Sequence, residues 1–293
     1  MRISYYPGCT LKSTAKNFEI SAIAVAKELD IEFVELSRWN CCGTVYSMTS
    51  DDVMHQLAPI RNLIRVKEDG FDRVVTLCSM CFNTLKRANI LVQRDREKLD
   101  KINDFMYLEN IDYAGDVEVL HFLEILRDDV GWDEIRTHVK NPLNGLVFAP
   151  YYGCLLVRPP EVAIDNVEMP YVLDRLFESL GAGTIDYPYS TECCGAYNTV
   201  SNPDIVLDKT YAMVNLAREQ GADAIILSCP LCDFNLEARQ KKVMEKYPDF
   251  HPLPVLYFTQ IMAVAFGLPE DTYGFEYNAI DPEEIFKKAR ERL

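Results

Sequence analysis

The chain has 293 residues, of which 48% are hydrophobic and 26% charged, so it can bury a large core without cross-links. Its formal net charge is −15 and no run of Lys or Arg exceeds two residues, which argues against a nucleic-acid partner. The N-terminus lacks the apolar core of a secretion signal, and the longest apolar stretches are far too short to span a bilayer. We therefore expect a cytoplasmic protein, in which ten cysteines indicate metal ligands or redox groups rather than disulfides.

Short β-rich runs alternate with longer helical runs from the N-terminus onward. In the first half, the predicted strands are Ile3 to Tyr6, Glu32 to Glu35, Arg73 to Leu77 and Glu118 to Leu120. The predicted helices between them are Ser13 to Glu28, Asp51 to Asp69 and Ser79 to Gln93. The segment from Asp95 to Asn144 is charged and less regular, and we place the domain boundary near its end, at Asn141-Pro142.

The second half continues the same alternation. Its predicted strands are Leu146 to Pro150, Thr184 to Tyr187, Ala224 to Leu227 and Val255 to Phe258. Its predicted helices are Tyr171 to Leu180, Pro203 to Gln220 and Leu231 to Lys246, followed by an amphipathic tail helix from Asp281 to Leu293. The alternation predicts an α/β fold of two pseudo-symmetric repeats, residues 1–142 and 143–293, each a small, mainly parallel sheet flanked by helices. Because ligands of such sheets bind at the carboxyl ends of the strands, we expect the cysteines, which follow strands, to hold their ligands there.

The cysteines repeat in the same order in both halves. The first half contains Cys9, Cys41, Cys42, Cys78 and Cys81, and the second contains Cys154, Cys193, Cys194, Cys229 and Cys232. Each set is a single cysteine, then a Cys-Cys-Gly group, then a Cys-x-x-Cys group, and no cysteine is left over. The flanking residues repeat as well, which indicates an internal duplication.

The presence of five cysteines in each half limits which kinds of metal site or disulfide each half can form. A structural zinc site closes at four ligands, and an odd set cannot pair completely in disulfides within its half. A cubane iron–sulfur cluster also takes four thiolates, so the fifth is either a spare or the sign of an unusual cluster. The glycine of each Cys-Cys-Gly group permits the sharp turn that would bring two adjacent thiols to one site. Structural zinc and a purely electron-relaying role remain alternatives.

This twice-repeated cysteine pattern, which covers nearly the whole chain, resembles the cysteine-rich CCG domain family. The family includes the catalytic B subunit of heterodisulfide reductase from methanogens, together with subunits of lactate, glycolate and glycerol-3-phosphate oxidation and of fumarate or succinate reductases. Because no ferredoxin-like segment precedes the first motif, the chain resembles the heterodisulfide reductase B subunit most closely. The resemblance implies two noncubane 4Fe-4S clusters, one per repeat, each held by all five cysteines of that repeat.

The resemblance also implies a reaction, the reduction of the mixed disulfide of coenzyme M and coenzyme B. The substrate would lie between the two clusters, each of which supplies one electron and takes up one sulfur. His121 is the candidate proton donor near the first motif. Lys12 and Arg158 follow the first cysteine of each repeat at nearly the same offset and are candidate contacts for the anionic groups of the substrate, with Lys16 and Arg38 as further candidates.

The electrons must come from partners, because the chain has no flavin or nicotinamide motif. The resemblance implies a ferredoxin-like iron–sulfur protein (the C subunit of heterodisulfide reductase), a flavin-containing protein (the A subunit), and a hydrogenase or formate dehydrogenase that supplies them; no membrane partner is expected. The alternative function is an electron-relay CCG subunit of a lactate, hydroxy-acid, fumarate or succinate redox complex. Four tyrosines next to the first cysteines are predicted either to line the cavity or to pack in the core: Tyr5, Tyr6, Tyr151 and Tyr152.

Overall fold

The first repeat contains a four-stranded parallel sheet. The computed structural model describes residues 1–44 and 53–291, without the side chains of residues 288–291. The strands are β1 (Arg2–Tyr5), β2 (Glu32–Glu35), β3 (Arg73–Thr76) and β4 (Glu118–His121). Their order in the sheet is β2-β1-β3-β4, and every neighbouring pair is parallel. All four carboxyl ends therefore lie at one edge of the sheet.

The second repeat builds the same sheet again. Its strands are β5 (Val147–Pro150), β6 (Gly183–Thr184), β7 (Ala224–Leu227) and β8 (Val255–Tyr257), in the order β6-β5-β7-β8 and again parallel. The predicted fold of two pseudo-symmetric α/β repeats is confirmed. Strand β6 is shorter and earlier than the predicted run from Thr184 to Tyr187, because only Gly183 and Thr184 pair with β5 before the chain leaves the sheet.

Helices cover both faces of the first sheet. They are α1 (Gly8–Leu11), α2 (Lys16–Glu28), α3 (Val53–Glu68), α4 (Ser79–Arg94), α5 (Arg96–Phe105), α6 (Phe122–Glu124) and α7 (Trp132–Thr137), with a π-helical turn at Ile125–Val130. Asp51 and Asp52 of the predicted second helix lie outside the described residues. Helix α5 falls in the segment predicted to be less regular; Asp95 starts it by accepting a hydrogen bond from the Lys98 amide.

The helices of the second repeat follow the same plan. They are α8 (Val172–Ser179), α9 (Pro203–Glu219), α10 (Pro230–Asp233), α11 (Gln240–Lys246), α12 (Phe258–Ala265) and α13 (Glu283–Glu291). A π-helical turn at Phe234–Ala238 divides the helix that was predicted to run unbroken from Leu231 to Lys246. None of the described helices is long and apolar enough to cross a membrane.

The two repeats share one core. Helix α2 of the first repeat packs on α12 of the second, where the rings of Phe18 and Tyr257 stack with centroids 4.1 Å apart. The hydroxyls of Ser21 and Thr259 lie 2.7 Å apart in the same contact. In the other direction, α8 of the second repeat packs on α7 of the first. The division into domains 1–142 and 143–293 stays a prediction, and the buried core is continuous across it.

Candidate metal centres

All ten cysteines lie after strands, at the carboxyl edges of the two sheets. Cys9 lies in α1, directly after β1, and the Cys41-Cys42 pair lies in the loop after β2. Cys78 is the residue before α4 and Cys81 lies in its first turn, after β3. The second repeat places its cysteines in the same way: Cys154 after β5, Cys193 and Cys194 after β6, Cys229 and Cys232 at the start of α10. The thiols therefore gather where the sequence predicted the ligands of a parallel sheet.

The thiols interact with one another in a continuous series that crosses from one repeat to the other. In the first repeat, the thiol of Cys42 interacts with those of Cys41 and Cys81, and Cys81 interacts with Cys78. Cys78 in turn interacts with Cys229, the equivalent residue of the second repeat. From there the series runs through Cys232, Cys194, Cys193 and Cys154. Equivalent cysteines thus meet at the junction of the two repeats.

Because the thiols are crowded together, their pKa values shift in opposite directions. The neighbouring thiol of Cys41 lowers the pKa of Cys42, and that of Cys229 lowers the pKa of Cys78. The neighbouring thiol of Cys154 lowers the pKa of Cys193 to about 2. Cys42 in turn raises the pKa of Cys41 and of Cys81, so both of these thiols keep their protons. A positively charged metal core would remove this conflict, because it stabilises all of the thiolates together.

Two glycines bring the backbone against the last cysteine of each set. Gly8, with φ +71°, precedes Cys9, and a Cβ built there would lie 3.0 Å from the sulfur of Cys81. Gly153, with φ +64°, precedes Cys154, and its Cβ would lie 3.4 Å from the sulfur of Cys232. Both positions favour glycine because of the left-handed backbone, and at Gly8 the sulfur is also too close for a Cβ.

Two buried tyrosines fix the Cys-Cys pairs. The hydroxyl of Tyr6 donates to the carbonyl of Asn40 at 2.9 Å, and the hydroxyl of Tyr151 donates to the carbonyl of Glu192 at 2.7 Å. Asn40 and Glu192 each directly precede a Cys-Cys pair. From the sequence, these tyrosines were expected either to line the cavity or to pack in the core. In the structure, each connects the end of β1 or β5 to the next cysteine loop through its hydroxyl. Tyr152 does line the cavity described below.

Polar side chains beside the second cysteine of each pair were missed by the sequence. The amide nitrogen of Asn235 lies 3.5 Å from the sulfur of Cys194. The hydroxyl of Thr84 lies beside the thiol of Cys42, but it donates its hydrogen to the carbonyl of Met80 at 2.8 Å. Each of these residues lies three residues after the last cysteine of its repeat, and both are buried. The matched spacing after Cys-x-x-Cys was the available signal, but Asn and Thr at a helix start are ordinary residues.

A narrow cavity lies beside the cysteines of the second repeat. It holds about 340 Å³ of atom-free space, part of it open to solvent. Its lining includes all five cysteines of that repeat, and Ser79 and Met80 from the first repeat also face it. Tyr152 and Tyr197 complete its aromatic part. A ligand in this cavity would therefore contact the second thiol set and the start of α4 together.

His121 is held in a structural position. Its Nε2 lies 2.7 Å from the carbonyl of Leu77, and its Nδ1 accepts a hydrogen bond from the amide of Leu123 at 3.2 Å. Burial lowers the pKa of His121 to about 3, so the imidazole is neutral near pH 7. Because both ring nitrogens are occupied by the backbone, these contacts do not favour the predicted role of proton donor. His121 also caps α6, and its role as proton donor stays a prediction.

We expect the His121→Asn variant to lose part of the pH dependence of stability. The folded-state pKa of His121 lies below its unfolded value, so its contribution to stability is full above about pH 6.5 and is lost as the pH falls toward 3. Asn can still cap α6 but does not titrate. Urea unfolding at pH 7.5 and pH 5 should show about 2 kcal/mol less acid destabilisation in the variant. The exposed His251→Asn is the matched control; an equal slope in both variants would contradict the assignment.

The predicted anion contacts are already paired with carboxylates. The Lys12 ammonium lies 2.7 Å from Glu19 and 2.7 Å from Glu35. The Arg158 guanidinium lies 3.2 Å from Glu168 and donates to the carbonyl of Thr191 at 3.0 Å. Their charges are therefore largely neutralised, which does not favour the predicted role.

The two further candidates also give no support to an anion site. Arg38 pairs with Glu68 at 2.5 Å, which leaves its charge neutralised like those of Lys12 and Arg158. Lys16 is exposed on α2 and is solvated there. The sequence could not show these pairings, because the carboxylates involved come from other parts of the chain.

The donor set fits iron–sulfur clusters. It consists of thiols alone, and soft sulfur ligands suit iron–sulfur cores and Zn. Within residues 1–44 and 53–291, no three side chains of His, Cys, Asp or Glu are arranged to hold a single metal ion, so the fit rests on the chemistry of the donors and not on a preformed ion site. Backbone amides also face the sulfurs: the Gly195 amide lies 3.4 Å from the sulfur of Cys193. Such donors stabilise an anionic cluster.

Two sets of five thiols, gathered at the carboxyl edges of two parallel sheets, define a duplicated α/β protein with cysteine-rich centres. The chain belongs to the cysteine-rich domain (CCG) family, which matches residues 3–86 and 148–237. These two matched segments correspond to the two repeats, and each contains a complete set of cysteines.

Several proteins are similar to this chain over nearly its full length. The 8-methylmenaquinol:fumarate reductase membrane anchor subunit of Wolinella succinogenes is 29% identical over 283 residues, which are 96% of this chain and 98% of that one. The B subunit of the ferredoxin/F420H2-dependent CoB-CoM heterodisulfide reductase of Methanosarcina acetivorans is 29% identical over 99% of this chain and 97% of its own length. A crystal structure of a hypothetical protein from Helicobacter pylori has the same fold, with a TM-score of 0.77 at 15% identity, over 94% of this chain and 51% of that one.

Proposed function

We propose that this chain is an iron–sulfur electron-transfer subunit of an oxidoreductase complex, and specifically its disulfide-reducing subunit. The substrate is the mixed disulfide of coenzyme M and coenzyme B, which two electrons and two protons convert into two thiols. The similarity to the heterodisulfide reductase B subunits of Methanosarcina acetivorans and Methanosarcina mazei, at 29% and 27% identity, supports this assignment. A protein of Archaeoglobus profundus, described as similar to the heterodisulfide reductase B subunit, is 28% identical over 99% of both chains.

The junction of the two repeats is the observation that carries the proposal: beside Cys78 and Cys229, which interact, the hydroxyls of Ser79 and Ser228 lie 2.7 Å apart. Breaking a disulfide takes two electrons, whereas an iron–sulfur cluster usually passes one at a time. Two centres whose ligands touch can deliver both electrons to one substrate without a long transfer between them. In the proposal each repeat holds one noncubane 4Fe-4S cluster, and the fifth thiol of each set is the ligand that a cubane has no place for.

The clusters supply the electrons, and the protein residues control access to them. The Cys-x-x-Cys thiols are buried, which keeps water away from the junction of the two centres. Tyr6 and Tyr151 hold the Cys-Cys loops in place through their hydrogen bonds to Asn40 and Glu192. In the proposal the substrate approaches the junction from the side of the cavity beside the second thiol set, which Met80 also lines.

The proposal includes partners that supply electrons. These are a ferredoxin-like iron–sulfur protein and a flavin-containing protein, which correspond to the C and A subunits of heterodisulfide reductase. In the proposal, a cytoplasmic hydrogenase or formate dehydrogenase supplies these two proteins with electrons. An acidic chain of net charge −15 is suited to docking on proteins with complementary surfaces.

A second candidate is an electron-relay subunit of a quinol:fumarate reductase. The Wolinella relative, 29% identical over 98% of its own length, favours it. A relay needs two clusters in range of a partner but no access for a disulfide. Turnover of the disulfide by the purified chain therefore separates the two candidates.

The first test is metal and sulfide analysis on protein purified without oxygen, followed by turnover with reduced viologen. About eight iron and about eight sulfide per chain, with reduction of the heterodisulfide, would support the proposal. The same metal content without disulfide turnover would favour the relay function. Zinc without sulfide would contradict both.

Removal of a hydrogen-bond donor is expected to shift the potential of one centre. Asn235→Leu deletes the donor to the sulfur of Cys194, and hydrogen bonds to sulfur favour the more negative, reduced state. The potential of the second centre should fall by on the order of 40 mV, which is the equivalent of one weak hydrogen bond. Thr84→Val is the comparison in the first repeat: the Thr84 hydroxyl lies beside Cys42 but donates to the carbonyl of Met80 at 2.8 Å, so the potential of the first centre should shift less. A redox titration monitored by electron paramagnetic resonance measures the potentials of both centres. Equal potentials in the unaltered protein and in both variants would refute the role of Asn235 in setting the potential.

A further inference from the structure

The segment that ends helix α5 and follows it exposes a group of large apolar side chains. Phe105, Tyr107, Leu108 and Ile111 are all exposed, with Tyr107 at 77% and Leu108 at 82%. Single exposed apolar residues are ordinary on a protein surface, whereas a group of them marks an interaction site. We call residues 105–111 the apolar segment.

The apolar segment is held in place at its base. The side chain of Asn103 donates to the carbonyl of Tyr113 at 3.0 Å and accepts from the amide of Tyr113 at 2.9 Å. Tyr113 is buried, and its hydroxyl donates to the side chain of Asn89 at 2.6 Å. The apolar side chains are therefore presented to solvent by an anchored loop.

The apolar segment belongs to the first repeat alone. Between α4 and β4 the first repeat has α5 and the loop that follows it. In the second repeat, residues 247–254 join α11 directly to β8. An addition to one copy of a duplicated fold gives the two repeats different surfaces, so a partner can distinguish them.

Positive charge lies beside the apolar segment. Arg61 of α3 pairs with Glu109 at 2.8 Å, and Glu68 accepts from the amide of Asn110 at 2.9 Å and pairs with Arg38 at 2.5 Å. In both pairs the arginine is the exposed member: the side chain of Arg38 is 56% exposed and that of Glu68 only 9%. The outward side of these pairs is therefore positive, in a chain of net charge −15.

The same surface adjoins the first thiol set. Arg65 follows Arg61 by one turn of α3, and its guanidinium donates to the side chain of Asn40 at 2.8 Å. Asn40 directly precedes Cys41, which is exposed, whereas the equivalent Cys193 is only partly exposed. Electron transfer between proteins needs a short path, and Cys41 gives the first centre such a path to this surface.

We propose that the apolar segment, with Arg38, Arg61 and Arg65, is the docking surface for an acidic iron–sulfur protein that delivers electrons to the first centre. In each encounter the reduced cluster of the partner loses one electron and the first centre gains it, while no bond forms or breaks. The apolar side chains form the middle of the interface, and the arginines attract the acidic partner. The acidic remainder of the chain repels such a partner, so the positive area decides where it docks.

This inference rests on the iron–sulfur part of the proposed function and holds for a disulfide reductase or a relay. The test is calorimetric titration of an oxidised, acidic two-cluster ferredoxin into the full chain, purified without oxygen and carrying its metal. Tyr107→Asn together with Leu108→Asn should weaken binding roughly tenfold or more, because both side chains lie in the middle of the interface. The matched control is Met169→Asn together with Val200→Asn, which changes two equally exposed apolar residues of the second repeat and should leave the affinity unchanged.

A charge variant tests the contribution of the arginines. Arg38→Gln should weaken binding about three- to fivefold at low ionic strength, and the difference should vanish at an ionic strength of about 0.5 M. Its control is Arg175→Gln, because Arg175 is equally exposed and likewise paired with a carboxylate, that of Glu178 at 2.8 Å.

Stopped-flow reduction of the chain gives a second readout. At low ferredoxin concentration, reduced ferredoxin should reduce the Tyr107→Asn/Leu108→Asn protein roughly tenfold more slowly than the unaltered protein. Reduced methyl viologen should reduce both at the same rate, because a small molecule needs no docking surface.

Several outcomes would overturn the proposal. Equal ferredoxin affinity in the unaltered protein and in the Tyr107→Asn/Leu108→Asn variant, or no binding to either, would refute the surface while the proposed function stands. Loss of binding to phosphatidylglycerol vesicles instead of ferredoxin would assign the surface to a membrane, and loss of a dimer in light scattering would assign it to a second copy of the chain. Zinc without sulfide in the purified protein would mean that the proposed function has failed, and the inference with it.

Discussion

Replacing Cys42 with serine is expected to lower the iron content of anaerobically purified protein from about eight to about four atoms per chain. Cys42 is buried and its thiol interacts with those of Cys41 and Cys81, so it stands in the middle of the first set. A serine oxygen is a hard donor that binds the iron of such a cluster poorly. Cys194→Ser, the equivalent change in the second repeat, should cause the same loss from the other centre.

Iron, acid-labile sulfide and the resonance spectra of the reduced proteins are the measurements. Each single variant should keep the spectrum of one centre, and the double variant should contain neither. Met80→Leu is the control, because Met80 is buried in the same motif without being a predicted ligand. Retention of full iron in both single variants would show that the ligand assignment is wrong. Loss of all iron in either variant would mean one shared centre instead of two.

Gly8→Ala is expected to disrupt the first centre and to destabilise the fold. The new Cβ would stand 3.0 Å from the sulfur of Cys81, a distance that forces either the thiol or the backbone to move. An L-residue at φ +71° adds a backbone cost of about 1–2 kcal/mol. The expected result is a loss of about four iron atoms together with a lower midpoint of unfolding.

Two other glycines separate the steric effect from the backbone effect. Gly153→Ala meets the sulfur of Cys232 at 3.4 Å and should retain more metal than Gly8→Ala. Gly221 has φ +85° with nothing within 4 Å, so Gly221→Ala carries the backbone cost alone and should keep its full iron content. If Gly8→Ala and Gly221→Ala keep equal amounts of iron, the contact with Cys81 does not matter for the centre.

The sequence predicted the sheets well because their signals are local. Each strand is a short apolar run followed by a cysteine group or a helix, and the duplication supplied every signal twice. Even so, β6 was placed too late, because the run after Gly183 is apolar enough for a strand but leaves the ladder of β5 after two pairs. The grouping of the cysteines followed directly from the rule that parallel strands end at one edge.

The parts of the site that the sequence missed depend on contacts between distant residues. Lys12 looked available because its partners, Glu19 and Glu35, come from other elements. His121 was placed correctly at the end of a strand, but its two backbone contacts have no signature in the sequence.

The contact between Cys78 and Cys229 has an evolutionary consequence. When equivalent residues of two repeats meet, the arrangement is that of a symmetric homodimer, in which one surface patch contacts its own copy. A single-repeat ancestor would therefore have assembled both centres only by dimerising, with one cysteine facing itself across a two-fold axis. Fusion of the two copies then allowed them to diverge. Matching positions now carry different chemistry, as Lys86 and Glu237 do five residues after each Cys-x-x-Cys group.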